Sequence, residues 1–157
     1  MTKLFLAVSL LTLAGSSFAA PSPTTLLLQG SVSPKVSLTV TSQPVAQTLD
    51  LATTQTDLNV ASVNEQSNTK SGYKVTITSA NLGKLTLAGG AEVFAYTLKY
   101  GNTALNLSSA AGQVVTNSTS GVVNQSRSVT VSYTGKPAES MVEGTYSDTI
   151  TFGIAAN

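Results

Sequence analysis

Apolar side chains recur at every second position along most of this chain, and no stretch beyond residue 20 sustains an apolar spacing of three to four. A period of two puts neighbouring side chains on opposite faces of an extended strand, so the pattern points to an all-β fold. Val36, Leu38 and Val40 alternate with Lys35, Ser37, Thr39 and Thr41. Leu58 and Val60 begin a longer strand through Asn64, and Tyr73, Val75 and Ile77 alternate with Lys74, Thr76 and Thr78. Phe94, Tyr96, Leu98 and Tyr100 fall on one face of a further strand. Leu105 and Leu107 follow, then Val129, Val131 and Tyr133, and finally Ile150, Phe152 and Ile154. Turn-forming clusters separate these runs, among them Lys70-Ser71-Gly72, Ala88-Gly89-Gly90, Asn117 to Gly121 and Gly135-Lys136-Pro137. Short strands at this spacing imply an antiparallel, Greek-key β-sandwich. The 157 residues suffice for one domain with its own core, and no internal repeat divides them.

Residues 1–20 stand apart. Lys3 opens the segment, Leu4 to Ala14 is an apolar run, and Gly15 to Ala20 is a small-residue exit, which together read as a secretory signal peptide cleaved after Ala19. A membrane anchor would need about 18 to 20 unbroken apolar residues. Export through the periplasm to the cell surface is therefore expected.

The residue types that are missing exclude whole classes of function. There is no His, Cys or Trp, so the chain has no zinc finger, no Ser-His or Cys-His pair and no disulfide. The acidic residues Asp50, Asp57, Glu65, Glu92, Glu139, Glu143 and Asp148 are scattered, with no pair spaced for work on a sugar, and most of them read as turn or surface residues. Neither an enzyme nor a bound cofactor or metal is expected. Removing the leader removes Lys3 and leaves acidic and basic residues equal in number, which gives no electrostatic footprint for nucleic acid.

Residues 24–33, TTLLLQGSVS, alternate in their own right, with Leu26, Leu28, Gly30 and Val32 on one face. Pro34 interrupts the run, because proline gives no amide hydrogen to a ladder and restricts the residue before it, and a second strand starts at Lys35. Two strands joined so closely cannot form an ordinary hairpin. Two readings stay open. Residues 24–33 are an edge strand of their own sandwich, or they are a donor strand that inserts into a groove on a neighbouring subunit.

The two ends together resemble a known family. LLLQGSVSPKVSLTV at 26–40 resembles the extension and first strand of chaperone/usher fimbrial subunits, and EGTYSDTITFGIAAN at 143–157 resembles their closing strand; SGYKVTITSAN at 71–81 is also common among them. The similarity is greatest to the cysteine-free, non-classical class and to spore coat protein U-like secreted domains. It implies an incomplete immunoglobulin-like sandwich, completed by a donor strand from a neighbour. The layout becomes 1–19 signal peptide, 20–33 donor-strand extension and 34–157 sandwich domain. The resemblance makes Leu26, Leu28, Gly30 and Val32 the inserted residues. Val36, Leu38 and Val40 on the first strand, and Tyr146, Ile150, Phe152 and Ile154 toward the C-terminus, become the acceptor groove. Asp148 shares the parity of Ile150, so it either sits beyond the core or a bulge resets the register. Expected partners are further copies of the chain in a homopolymer, a periplasmic chaperone, an outer-membrane usher and a host or surface receptor. The implied function is a fibre subunit serving adhesion or biofilm formation. The alternative is a self-complete secreted binding module, for example for carbohydrate.

Overall fold

The computed structural model describes residues 21–157, and the leader expected over 1–19 lies outside them. Residues 21–31 belong to a separate unit from the rest and contain no strand or helix, and Leu26, Leu27 and Leu28 are all strongly exposed. Residues 32–157 form the second unit, which is all-β.

This unit contains β1 (Val36–Ser42), β2 (Gln55–Ser67), β3 (Tyr73–Ser79), β4 (Lys84–Leu87), β5 (Val93–Ala95) and β6 (Thr97–Tyr100). It continues with β7 (Thr103–Leu105), β8 (Gln113–Asn117), β9 (Val123–Tyr133), β10 (Tyr146–Ser147) and β11 (Ile150–Ala156). All pairings are antiparallel and build three sheets, in the orders β1-β2-β9-β6-β7, β11-β3-β8 and β10-β4-β5. One shared core joins them, a layering consistent with a β-sandwich.

The inward faces follow from the alternation. Val36, Leu38 and Val40 stand opposite Ser67, Glu65 and Val63. Ile150, Phe152 and Ile154 stand opposite Ser79, Ile77 and Val75. The residues opposite are buried, so both rows of apolar side chains face the core.

Three departures from the simple alternation have identifiable causes. The strand begun by Leu58 changes parity, because the register shifts twice near its start and Asp57 adopts a left-handed φ of 51°. Ala61 and Val63, not further even-numbered residues, then point inward. The Phe94–Tyr100 stripe is two strands: the chain leaves one sheet after Ala95 and joins another at Thr97, while Phe94, Leu98 and Tyr100 stay buried throughout. The chain changes sheet again at Asp148 and Thr149, between β10 and β11. The turn at Gly72 does need glycine, since its φ is 79° and a Cβ there would collide with the Asn117 carbonyl oxygen.

Candidate functional site

Among the described residues β1 pairs only with β2, and β11 pairs only with β3. Each therefore ends its sheet and keeps one row of backbone N–H and C=O groups without a ladder partner. The two edges are neighbours with no strand between them. An apolar cleft of about 240 Å3 opens here, and Val40, Ile150 and Phe152 stand on its two edges. Its interior reaches Leu98, Val129 and Val131 of the core. Val40 is 41% exposed, and Ile150 and Phe152 are only half buried, so large apolar groups that face inward still meet solvent. The Phe152 ring packs against Tyr100 with centroids 5.9 Å apart.

Polar groups close one end of the cleft. Asp148 accepts hydrogen bonds from the Ser79 hydroxyl at 2.6 Å, the Tyr96 hydroxyl at 2.5 Å and the Asn81 amide at 3.0 Å. The break between β10 and β11 turns this carboxylate inward while these donors satisfy it. Burial first, and then the carboxylate beside it, raise the pKa of Tyr96 far above the ordinary phenol value, so the hydroxyl remains a donor.

The remaining expected groove residues divide. Val36, Leu38 and Ile154 lie on the same two strands and pack half-buried against the core. Tyr146 lies apart from them. It belongs to β10, in another sheet, and its hydroxyl donates to the Val142 carbonyl at 2.9 Å. Counting by twos back from Ile150 placed it in the groove, but the change of sheet at Asp148 breaks that count. Of the residues expected to insert, Leu26 and Leu28 are 83% and 84% exposed, Val32 is 87% exposed, and the Cβ position of Gly30 is open space.

Glu65 is not a surface residue. It is 1% exposed and lies between the sheets, opposite Leu38. Its carboxylate accepts hydrogen bonds from Tyr73 at 2.6 Å, Gln125 at 2.6 Å, Arg127 at 3.2 Å and the Tyr100 hydroxyl. Burial alone would raise its pKa, but the four donors, Tyr100 foremost, outweigh that and hold it below the usual glutamate range. The same pairing, after burial, raises both tyrosine pKa values. Strands β2, β3, β6 and β9 thus meet at one carboxylate in the core, beside the cleft.

Asp50 accepts hydrogen bonds from the Ala52 amide and the Thr53 hydroxyl within its own turn, and Asp57 pairs with Lys99 at 2.8 Å. Among the described residues no three acidic side chains converge. The site is thus an apolar slot between two strand edges, closed at one end by the Asp148 cluster.

In comparison with known proteins, the chain matches no family model and no curated protein.

Proposed function

We propose that this chain is a structural subunit of a secreted surface fibre, assembled when the N-terminal segment of one copy enters the cleft of the next. The observation that carries this reading is the cleft between the unpaired edges of β1 and β11, open to solvent and lined by core side chains. A single strand entering there, with the two edges parted to admit it, would pair with both and cover Val40, Ile150 and Phe152. Residues 24–33 have the matching character, with alternate apolar side chains and Leu26 and Leu28 exposed.

On this reading the domain is an immunoglobulin-like, Greek-key sandwich that lacks its last strand, which a neighbour supplies. Burial of each leucine contributes roughly 1.5 to 3 kcal/mol, and the ladder adds to it. An uncovered slot of this kind is an aggregation hazard in the free subunit. A periplasmic chaperone that covers it before an outer-membrane usher hands the subunit on fits that hazard. The assembled fibre stands at the cell surface and serves adhesion or biofilm formation.

A synthetic peptide of residues 24–33 tests the reading directly. Added while subunits assemble, it is expected to cap the growing ends and shorten the polymers in proportion to its concentration. The same peptide with Asp in place of Leu28 is expected to leave their length unchanged. Polymers of equal length with and without the unmodified peptide would contradict the proposal.

A further inference from the structure

The chain enters β1 at one end of the domain, beside the turn over 68–72, where Val36, Ser67 and Val123 share a rung. Asn68 brackets Pro34 there: its side-chain amide donates to the Ser33 carbonyl at 3.1 Å, and its side-chain oxygen accepts from the Lys35 backbone amide at 2.6 Å. Since proline also has a fixed φ, the direction in which the preceding chain leaves the domain is set. Val122 stands at this end, two strand spacings or about 10 Å from the start of β1, and is 88% exposed. Lys35, Lys70 and Lys74 are exposed around it, and among the described residues no exposed acidic side chain accompanies them.

The opposite end has the complementary character. β11 runs from Ile150, opposite Ser79, to Ala156, opposite Tyr73 beside the 68–72 turn, so Asp148 lies at the far end from Lys35. Past Asp148 a trough of about 470 Å3 continues the cleft and shares Ala46, Leu49 and Leu85 with it. Half-buried Leu49, Leu51 and Tyr146 give the trough an apolar wall, and Val142, 57% exposed, stands near its rim. Asp50 and Glu143 lie beside it, and this end carries Asp50, Glu92, Glu139 and Glu143 against Lys84 and Lys136.

We infer that this trough takes the Val122 turn of the next copy in the fibre, so that successive domains meet end to end with Val122 seated against Leu49, Leu51 and Tyr146. The inference rests on the fibre reading above. Chain length dictates the contact: only Ser33, Pro34 and Lys35 separate Val32 from β1, about 10 Å of extended chain, which leaves no spacer between the domain that gives the segment and the domain that receives it. Direction dictates which ends meet. If the segment left the cleft at the Lys35 end, two like ends would face each other and both segments could be exchanged, closing a pair; a fibre requires it to leave past Asp148, over the trough. The lysines of one end then face the acidic residues of the other. The contact need not hold two subunits by itself, because the inserted strand makes it intramolecular.

The chain has no cysteine, so an introduced pair reports the contact without background. Val122→Cys is combined with Thr145→Cys, an exposed residue on the trough, and surface fibres are treated with a mild oxidant. The two positions lie at opposite ends of one domain and can meet only between copies. The double variant is expected to give a ladder that survives boiling in SDS and collapses when a reductant is added. Each single variant is expected to boil to monomer, since Val122 meets no second Val122 in an end-to-end fibre, and so is a control pair, Val122→Cys with Thr151→Cys on the outer face of β11. A double variant that boils to monomer overturns the inference, and so does an equal boiling-resistant ladder in the control pair or in Val122→Cys alone. The unboiled lanes separate the two failures: a heat-sensitive ladder there without the covalent one sinks this contact alone, whereas no ladder in any unboiled lane sinks the fibre reading and the contact with it.

Discussion

Subunits carrying Leu28→Asp are expected to be exported normally and to form no polymers. The substitution removes roughly 1.5 to 3 kcal/mol of leucine burial. It also brings a carboxylate to a slot walled mainly by apolar side chains, Val40, Leu98, Val131 and Phe152 among them, with no lysine or arginine to pair it. The polar end of the slot gives no relief, because Asp148 is itself an acceptor already engaged by Ser79, Tyr96 and Asn81. An unpaired charge in such surroundings costs several kcal/mol more. At about 1.4 kcal/mol per tenfold change, the joint weakens at least about a thousandfold. The domain itself is untouched, since position 28 lies outside residues 32–157. Electron microscopy of the surface fraction checks the outcome; fibres of wild-type length in the variant would refute the role given to the segment.

Glu65→Ala is expected to destabilise the domain by about 3 to 5 kcal/mol, enough to leave many domains largely unfolded. The loss has two sources. Tyr73, Tyr100, Gln125 and Arg127 all lose their shared acceptor, and buried donors left unmade cost more than the bonds themselves contributed. The space left between the sheets adds a cavity cost. Glu65→Gln keeps the shape and gives up the charge, so it should fall between the two. The pH profile of unfolding separates the contributions. Because the folded pKa is depressed, the carboxylate stabilises fully above the ordinary glutamate value of about 4.3 and loses that contribution as the pH falls through the lower, folded value. The advantage of the wild type over Glu65→Gln should therefore shrink in that acidic window. An advantage constant with pH would contradict the network as described.

That network also explains where the sequence was hard to read. In β9 the pattern of Val129, Val131 and Tyr133 was plain, but its first half was not. Gln125 and Arg127 occupy inward positions there because they serve Glu65, so the apolar alternation disappears although the strand continues. Glu65 was misread for the matching reason: a lone acidic residue in a polar run gives no local sign that two tyrosines will reach it from other strands. Short strands such as β4, at Lys84–Leu87, carry too few alternations to stand out. The edges of the cleft were more legible. Val40, Ile150 and Phe152 sit in regular runs, so counting by twos puts them on the inward faces, where they line the cleft. The same counting fails for Tyr146, where the chain changes sheet. The core stripe from Phe94 to Tyr100 was visible as a stripe but not as two strands, since a change of sheet that keeps the inward parity leaves no mark on the pattern.

The most direct measurement is an SDS gel of the surface fraction from native cells, with unheated and boiled samples side by side and probed for this protein. A cleft filled by a neighbour's strand gives joints that resist the detergent until heated. The account predicts a ladder of regularly spaced bands in the unheated lane that collapses to one monomer band on boiling. A single monomer band in both lanes would contradict it and point instead to a self-complete binding domain.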